Sequence, residues 1–226
     1  MNKLILFDID KTLVKSTQGR AAQFSTAFKE IYGINASIDI IQYSGMTDQQ
    51  IIIDVLKLKG LDEKEIESKL ESCMEKMVRL FQESIENHEI IILPGVNELL
   101  KVLENNNFLI GLATGNLEQI AHGKMKKLEI DHYFKVGGYG SEHINRTELV
   151  KIAIKKAQSD YNFNVANNVY LFGDAPQDMR AAKNADVIAV GVTTGVYSKN
   201  ELENAGADIV LNDLMNTKRI MNEILK

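Results

Sequence analysis

The chain has 226 residues, which at about 150 residues per domain suits one full domain carrying an insertion better than two equal halves. Hydrophobic residues make up 45% and charged residues 25%. Those are ordinary proportions for a globular protein, and they exclude global disorder, a collagen-like repeat and a coiled-coil rod. The formal net charge of −5 argues against nucleic acid or an anionic membrane as a partner, because both need a basic face to release counterions.

The first element in the chain is the apolar run Leu4–Phe7. It is too short and too closely flanked by charge for a signal peptide, and no later stretch approaches the ~18 apolar residues of a membrane span. The single cysteine, Cys73, cannot form an intrachain disulfide, so a secreted disulfide framework is absent. A soluble, cytoplasmic protein is the expectation, with monomer or homodimer left open.

Helical periodicity then runs from about Gly19 to Glu89. Ala22, Phe24, Ala27, Phe28 and Ile31 share one face, and Ile51, Ile52, Val55, Leu56 and Leu58 share the next. Asp62 and Glu65 read as a capping pair opening a long helix that carries Ile66, Leu70, Cys73, Met74, Met77 and Phe81. The chain returns to the main domain near Pro94–Gly95. Beyond it come further buried strands, Leu109–Ala113, Val169–Phe172, Val187–Val190 and the weaker Ile209–Leu211, alternating with helices over Leu117–Leu128, Glu148–Ser159, Asp178–Ala185 and Leu214–Leu225. This alternation predicts an α/β fold, a doubly wound parallel sheet of Rossmann-like topology. Residues 1–16 and 91–226 are expected to form the core, and 17–90 an inserted α-helical cap.

In such a sheet the ligand site lies beyond the carboxyl ends of the strands. There the sequence places Asp8 and Asp10, then Thr114, Gly115 and Asn116, then Asp174 and Asp178. Carboxylates gathered this closely repel one another unless a cation sits among them. An oxygen-only set with no supporting His or Cys favours a hard ion, Mg²⁺ above all. Asn116 and Gln119 read as a helix N-cap pair, which makes Thr114 and the Gly115 amide an anion site. Cation, anion pocket and free carboxylate together suggest phosphoryl transfer through an aspartyl-phosphate. A calcium loop is excluded, since it would need a helix before Asp8 and a Glu where Gly19 stands.

The ordered motifs D8-I-D10-K-T12, T114-G-N, N145-R146-T-E148 and G173-D174-A-P-Q-D178 resemble the haloacid dehalogenase superfamily. More narrowly, the chain looks like its phosphoglycolate-phosphatase-like members with a helical cap after the first strand. The resemblance spans nearly the whole chain, including the L93-P94-G95-V96 re-entry and the late A189-to-G195 run. It implies Asp8 as nucleophile and Asp10 as general acid/base. Thr114 would hold a phosphoryl oxygen. Asp174 and Asp178 would bind Mg²⁺ with Asp8 and the backbone carbonyl of Asp10. Arg146 stands where the family usually has Lys, and Lys11 where Gly is common. Thr47, Asp48 and Gln49 are candidate cap contacts to a small phosphorylated metabolite.

The remaining features read as structural. G137-G138-Y-G140 is expected as a loop lining the pocket, because it lacks the third glycine of a dinucleotide fingerprint. His88, His122, His132 and His143 lack metal-ligand spacing and are expected at the surface, and Cys73, Met74 and Met77 in the cap core. A phosphomutase, a carbon–halogen hydrolase and a non-catalytic phosphate-binding protein are the alternatives to a phosphatase.

Overall fold

The computed structural model describes residues 3–16, 19–164 and 169–225. The expected start of the insertion, at residue 17, lies outside the described residues. The chain opens with β1 (Leu4–Phe7) and the short β2 (Val14–Ser16). Three helices follow, α1 (Arg20–Ala27), α2 (Asp48–Leu58) and α3 (Glu63–Ser84), before β3 (Ile90–Ile92). Then come α4 (Val96–Asn105), β4 (Leu109–Thr114), α5 (Glu118–Lys127), β5 (Val136–Tyr139), α6 (Arg146–Tyr161) and β6 (Val169–Gly173). The last elements are α7 (Pro176–Asn184), β7 (Ile188–Val192), α8 (Lys199–Asn204), β8 (Ile209–Leu211) and α9 (Thr217–Ile224).

Among the described residues, six strands form one parallel sheet in the order β5-β4-β1-β6-β7-β8. Its centre, β1, is apolar throughout because the pleat sends alternate residues into two separate cores. Ile5 and Phe7 join Leu99, Leu100, Leu103, Met125 and Ile220, from α4, α5 and α9. Leu4 and Leu6 join Val150, Ala153, Ile154, Met179 and Ala182, from α6 and α7. The chain leaves β1 toward β4 and β5 on one side, then returns to β6 on the other. That reversal makes the carboxyl end of β1 the topological switch point, where open α/β sheets bind ligands.

The hundred residues between the first two main strands build a third apolar centre of their own. Phe24, Phe28, Ile51, Ile52, Val55, Ile66, Cys73, Met77 and Phe81 pack together, and Leu117 and Ile120 reach in from the core side. Asp62 caps α3 by accepting from Glu65 N at 2.8 Å, as the spacing predicts. The segment departs and returns through β2 and β3, which pair antiparallel from Val14↔Ile92 to Ser16↔Ile90. This two-stranded stem was not read from the sequence, because three-residue strands carry too little periodicity.

Two local expectations are corrected. Residues 137–139 belong to a strand, β5, which pairs with β4 from Gly111↔Val136 to Thr114↔Tyr139. Helix α5 has Leu117 at its N-cap without a side-chain cap, so Asn116 and Gln119 do not form a capping pair. The Asn116 side chain is drawn into the site instead.

Candidate active site

Asp8 follows β1 directly, its amide still bonded to Phe172 O at 2.9 Å in the manner of the sheet. Asp174 follows β6 one strand away, and Asp178 lies in the first turn of α7, where a carboxylate suits the helix dipole. One carboxylate oxygen from each of these three buried residues lies within 4.8 Å of the others. Burial and the charges of Asp178 and Asp8 push the Asp174 carboxyl up to about 8. Burial likewise raises Asp178, whose carboxylate accepts from Ala175 N at 3.1 Å.

Part of this negative charge is answered by Arg146, the first residue of α6, whose N-cap Asn145 accepts from Thr147 N at 2.9 Å. The Arg146 guanidinium reaches Asp8 Oδ1 at 3.0 Å and also pairs with Asp178 Oδ1. Burial opposes its charge, but Asp178 and Asp8 outweigh that and raise its pKa. Asp174 Oδ2 remains buried with no partner. A Cβ at position 195 would overlap that oxygen, so Gly195 keeps the space beside it open. An orphaned oxygen, three converging carboxylates and an oxygen-only donor set fit a hard divalent cation.

Asp10 is turned away from this trio. Its carboxylate takes Lys124 Nζ at 2.7 and 2.8 Å and Asn116 Nδ2 at 2.9 Å. Burial would raise its pKa, yet Lys124, Arg20 and the Asn116 hydrogen bond overcome burial and hold it at about 2. Lys124 also donates to Asn116 Oδ1 at 2.9 Å, and Asn116 donates to Thr114 Oγ1 at 2.9 Å. Thr114 Oγ1 thus accepts from within the loop and keeps its own proton free to donate. The intervening Lys11 has φ 65, in the left-handed region that favours glycine. Its carbonyl is held there by Thr194 Oγ1.

A cavity of about 660 Å³ opens over these groups, between the sheet edge and α1–α3. Asp8, Asp10, Asp48, Gly115, Asn116, Arg146 and Asp174 line it. Thr114 and Asp178 are fully buried beside these groups and are not among its lining residues. Thr47 and Gln49, expected as substrate contacts, do not line it either, because their polar groups bind the core backbone. Thr47 Oγ1 donates to Ile144 O at 3.0 Å and Gln49 Nε2 to Gly140 O at 2.7 Å. Asp48 shares this docking role: its amide donates to Gly115 O at 2.8 Å, and its carboxylate accepts from Leu117 N at 3.0 Å. A Cβ at Gly115 would stand 2.5 Å from Met46 O, so glycine permits this close approach.

Lys124, Arg20, Gln23 and His88 also line the cavity and were missed as site residues. A signal for Lys124 exists, since it lies on the stripe of Leu117, Ile120 and Ala121 that α5 buries. A lysine on an apolar face calls for a partner. Gln23, beside Phe24 on the buried face of α1, gives the same signal. His122 is not a free surface residue: it is half-buried between Asp131 Oδ1 at 2.7 Å and the Tyr139 hydroxyl at 3.0 Å.

Comparison with known proteins agrees with this architecture. The chain matches the haloacid dehalogenase-like hydrolase family over residues 5–192. It belongs to that family and is an enzyme of the hydrolase class. Among curated proteins, the phosphoglycolate phosphatase of Pseudomonas putida is 23% identical over 216 residues, covering 94% of this chain and 77% of its own. Among solved structures, a hydrolase from Pseudomonas syringae superposes with a TM-score of 0.69 at 24% identity, covering 99% of both chains. The β-phosphoglucomutase of Clostridium difficile gives 0.70 at 20% identity, covering 100% of this chain and 98% of that one. No helix among the described residues is long and apolar enough to cross a membrane.

Proposed function

We propose that this hydrolase is a Mg²⁺-dependent phosphatase that cleaves a small phosphomonoester through a covalent phosphate on Asp8. The observation that carries the reading is the geometry around Asp8: a carboxylate beside Asp174 and Asp178, gripped by Arg146, at the floor of a cavity. Asp8, Asp174 and Asp178 would hold the ion together with the backbone carbonyl of Asp10. When bound, Mg²⁺ supplies positive charge that offsets repulsion between the anionic nucleophile and the phosphate.

The chain's own groups do the rest. An Asp8 oxygen attacks phosphorus while the bond to the ester oxygen breaks, and the departing alkoxide takes a proton from Asp10. Asp10 then accepts a proton from water, whose oxygen attacks the phosphorus of phospho-Asp8, releasing phosphate and restoring the carboxylate. With Lys124 beside it Asp10 favours the ionised form, the form the water step needs; for the first step it takes up a proton from solvent, an uptake that the charge of the incoming phosphate dianion favours. Arg146 binds phosphoryl oxygens bidentately, a geometry lysine cannot offer. The Thr114 hydroxyl and the Gly115 amide donate to the same oxygens.

We further propose the division into a core and a helical cap, with the paired β2 and β3 as the stem and the contacts of Thr47, Asp48 and Gln49 as the dock. The curated relative's name, phosphoglycolate phosphatase, supports the reaction class. The test is phosphate release from a panel of phosphorylated metabolites with Mg²⁺, using Asp8→Asn as the blank. Metal-dependent release that disappears in the blank is expected. Isomerised sugar phosphate without release would make the protein a mutase instead.

A further inference from the structure

The two ends of the cavity differ in chemistry. The end under the cap is lined by Phe24, Met77 and Phe81, together with Ile120 from the core side, all buried. Tyr43 adds a third ring, and the Arg20 guanidinium lies 5.8 Å from the Phe24 ring and 5.6 Å from that of Tyr43. Two of the cations on the lining are already paired, Arg20 with Asp48 at 2.8 Å and Lys124 with Asp10 at 2.7 Å, while Lys11 is half-buried and Lys15 exposed. A small carboxylate carried by a substrate therefore finds no uncommitted buried cation under the cap among the described residues. Volume points the same way. A phosphate ester of two carbons, at roughly 30 Å³ per heavy atom, fills less than half of the 660 Å³.

One polar atom under the cap lacks a partner. Gln23 lines the cavity and is more than nine-tenths buried, and its amide nitrogen has no hydrogen bond. A buried donor left in this state is costly and is normally satisfied by protein, water or ligand. The neighbouring surfaces are rings and a thioether, which suit a flat apolar body.

Resting on the phosphatase reading above, we propose that the leaving group of the substrate is an uncharged ring system bearing a hydrogen-bond acceptor. The ring packs against Phe24, Met77, Phe81 and Ile120, and the acceptor meets Gln23 Nε2. The cap thereby selects against short anionic esters.

The test compares esters of similar leaving alcohols: phosphoglycolate, benzyl phosphate and the three carbamoyl isomers of benzyl phosphate, each with Mg²⁺. The best carbamoyl isomer should exceed benzyl phosphate about tenfold in kcat/KM, and benzyl phosphate should exceed phosphoglycolate by a similar factor. In Gln23→Met, which keeps length and apolar packing, the first ratio should fall to about one while the second persists. Gln23→Asn, with a shortened amide, should lower the first ratio without erasing it. Phosphoglycolate turned over as well as the ring esters would overturn the proposal and leave the phosphatase reading standing. An unchanged first ratio in folded Gln23→Met would also overturn it. Phosphate release from no ester at all would remove the phosphatase reading and the proposal with it.

Discussion

The two halves of the cavity were assembled by different rules. On the core side three key polar groups are placed by the sheet: Asp8 follows β1, Thr114 ends β4, and Asp174 follows β6. Adjacent parallel strands in fixed register bring those ends together whatever else the chain contains. On the cap side the lining comes from faces of α1 and α3, whose positions depend on how three helices pack around Phe28, Ile52 and Val55. The core half therefore holds charge with strand-end accuracy, whereas the cap half presents a shape. On the proposed reading, chemistry belongs to the first and choice of leaving group to the second.

Substitutions on the two sides should separate these roles. The largest effect is expected at Asp8, where Asp8→Asn should lower kcat at least ~1,000-fold for every ester, because no substitute nucleophile stands in the same place; steady-state phosphate release measures it. Next is Asp174→Asn, which should remove most of the response to Mg²⁺. Thermal unfolding should show the wild type gaining stability on adding Mg²⁺ and losing it with chelator, and the variant showing neither. Equal Mg²⁺ shifts in both proteins would exclude Asp174 as a ligand.

Lys124→Met leaves the Asp10 carboxylate without its nearest cation. A fall in kcat of about ten- to a hundredfold across all substrates is expected, a part of what general acid–base catalysis supplies, with partial recovery in Lys124→Arg. On the cap side, Phe81→Ala should cost about 3 kcal/mol of stability through the cavity it leaves, read as a lowered Tm. It should also change the ranking of substrates while the Mg²⁺ shift persists. The smallest effect belongs to the dock. Gln49→Ala removes one hydrogen bond to Gly140 O, about 1 kcal/mol, and should alter kcat/KM by a few-fold for all esters alike.

How much of this was readable in advance follows the same division. Asp8, Asp10, Thr114, Asp174 and Asp178 are legible because each stands just beyond an apolar run, and the rule for open sheets says where those runs deliver them. Arg146 is legible through its cap, Asn145, which fixes where α6 begins. The partners of Asp10 were harder to find. Lys124 is 114 positions away in sequence, and only its place on a buried stripe hints that it points inward. Strand β5 was hidden by its glycines: at Gly138 a Cβ would collide with the Leu149 backbone, so close packing of α6 removed the branched residues that announce a strand. Thr47, Asp48 and Gln49 carry a helix-start pattern that sequence cannot assign between ligand and neighbouring backbone. In the fold Thr47 and Gln49 bind backbone, and Asp48 also faces the cavity.

The central claim is that Asp8 carries the phosphoryl group, and rapid acid quenching of the enzyme during turnover tests it most directly. Intact-mass and peptide analysis should find one phosphoryl adduct on Asp8, absent from Asp8→Asn and from enzyme quenched without substrate. Burst-phase release of the alcohol before free phosphate should accompany it. Turnover with no adduct on Asp8 at any quench time, or undiminished phosphate release by Asp8→Asn, would contradict it.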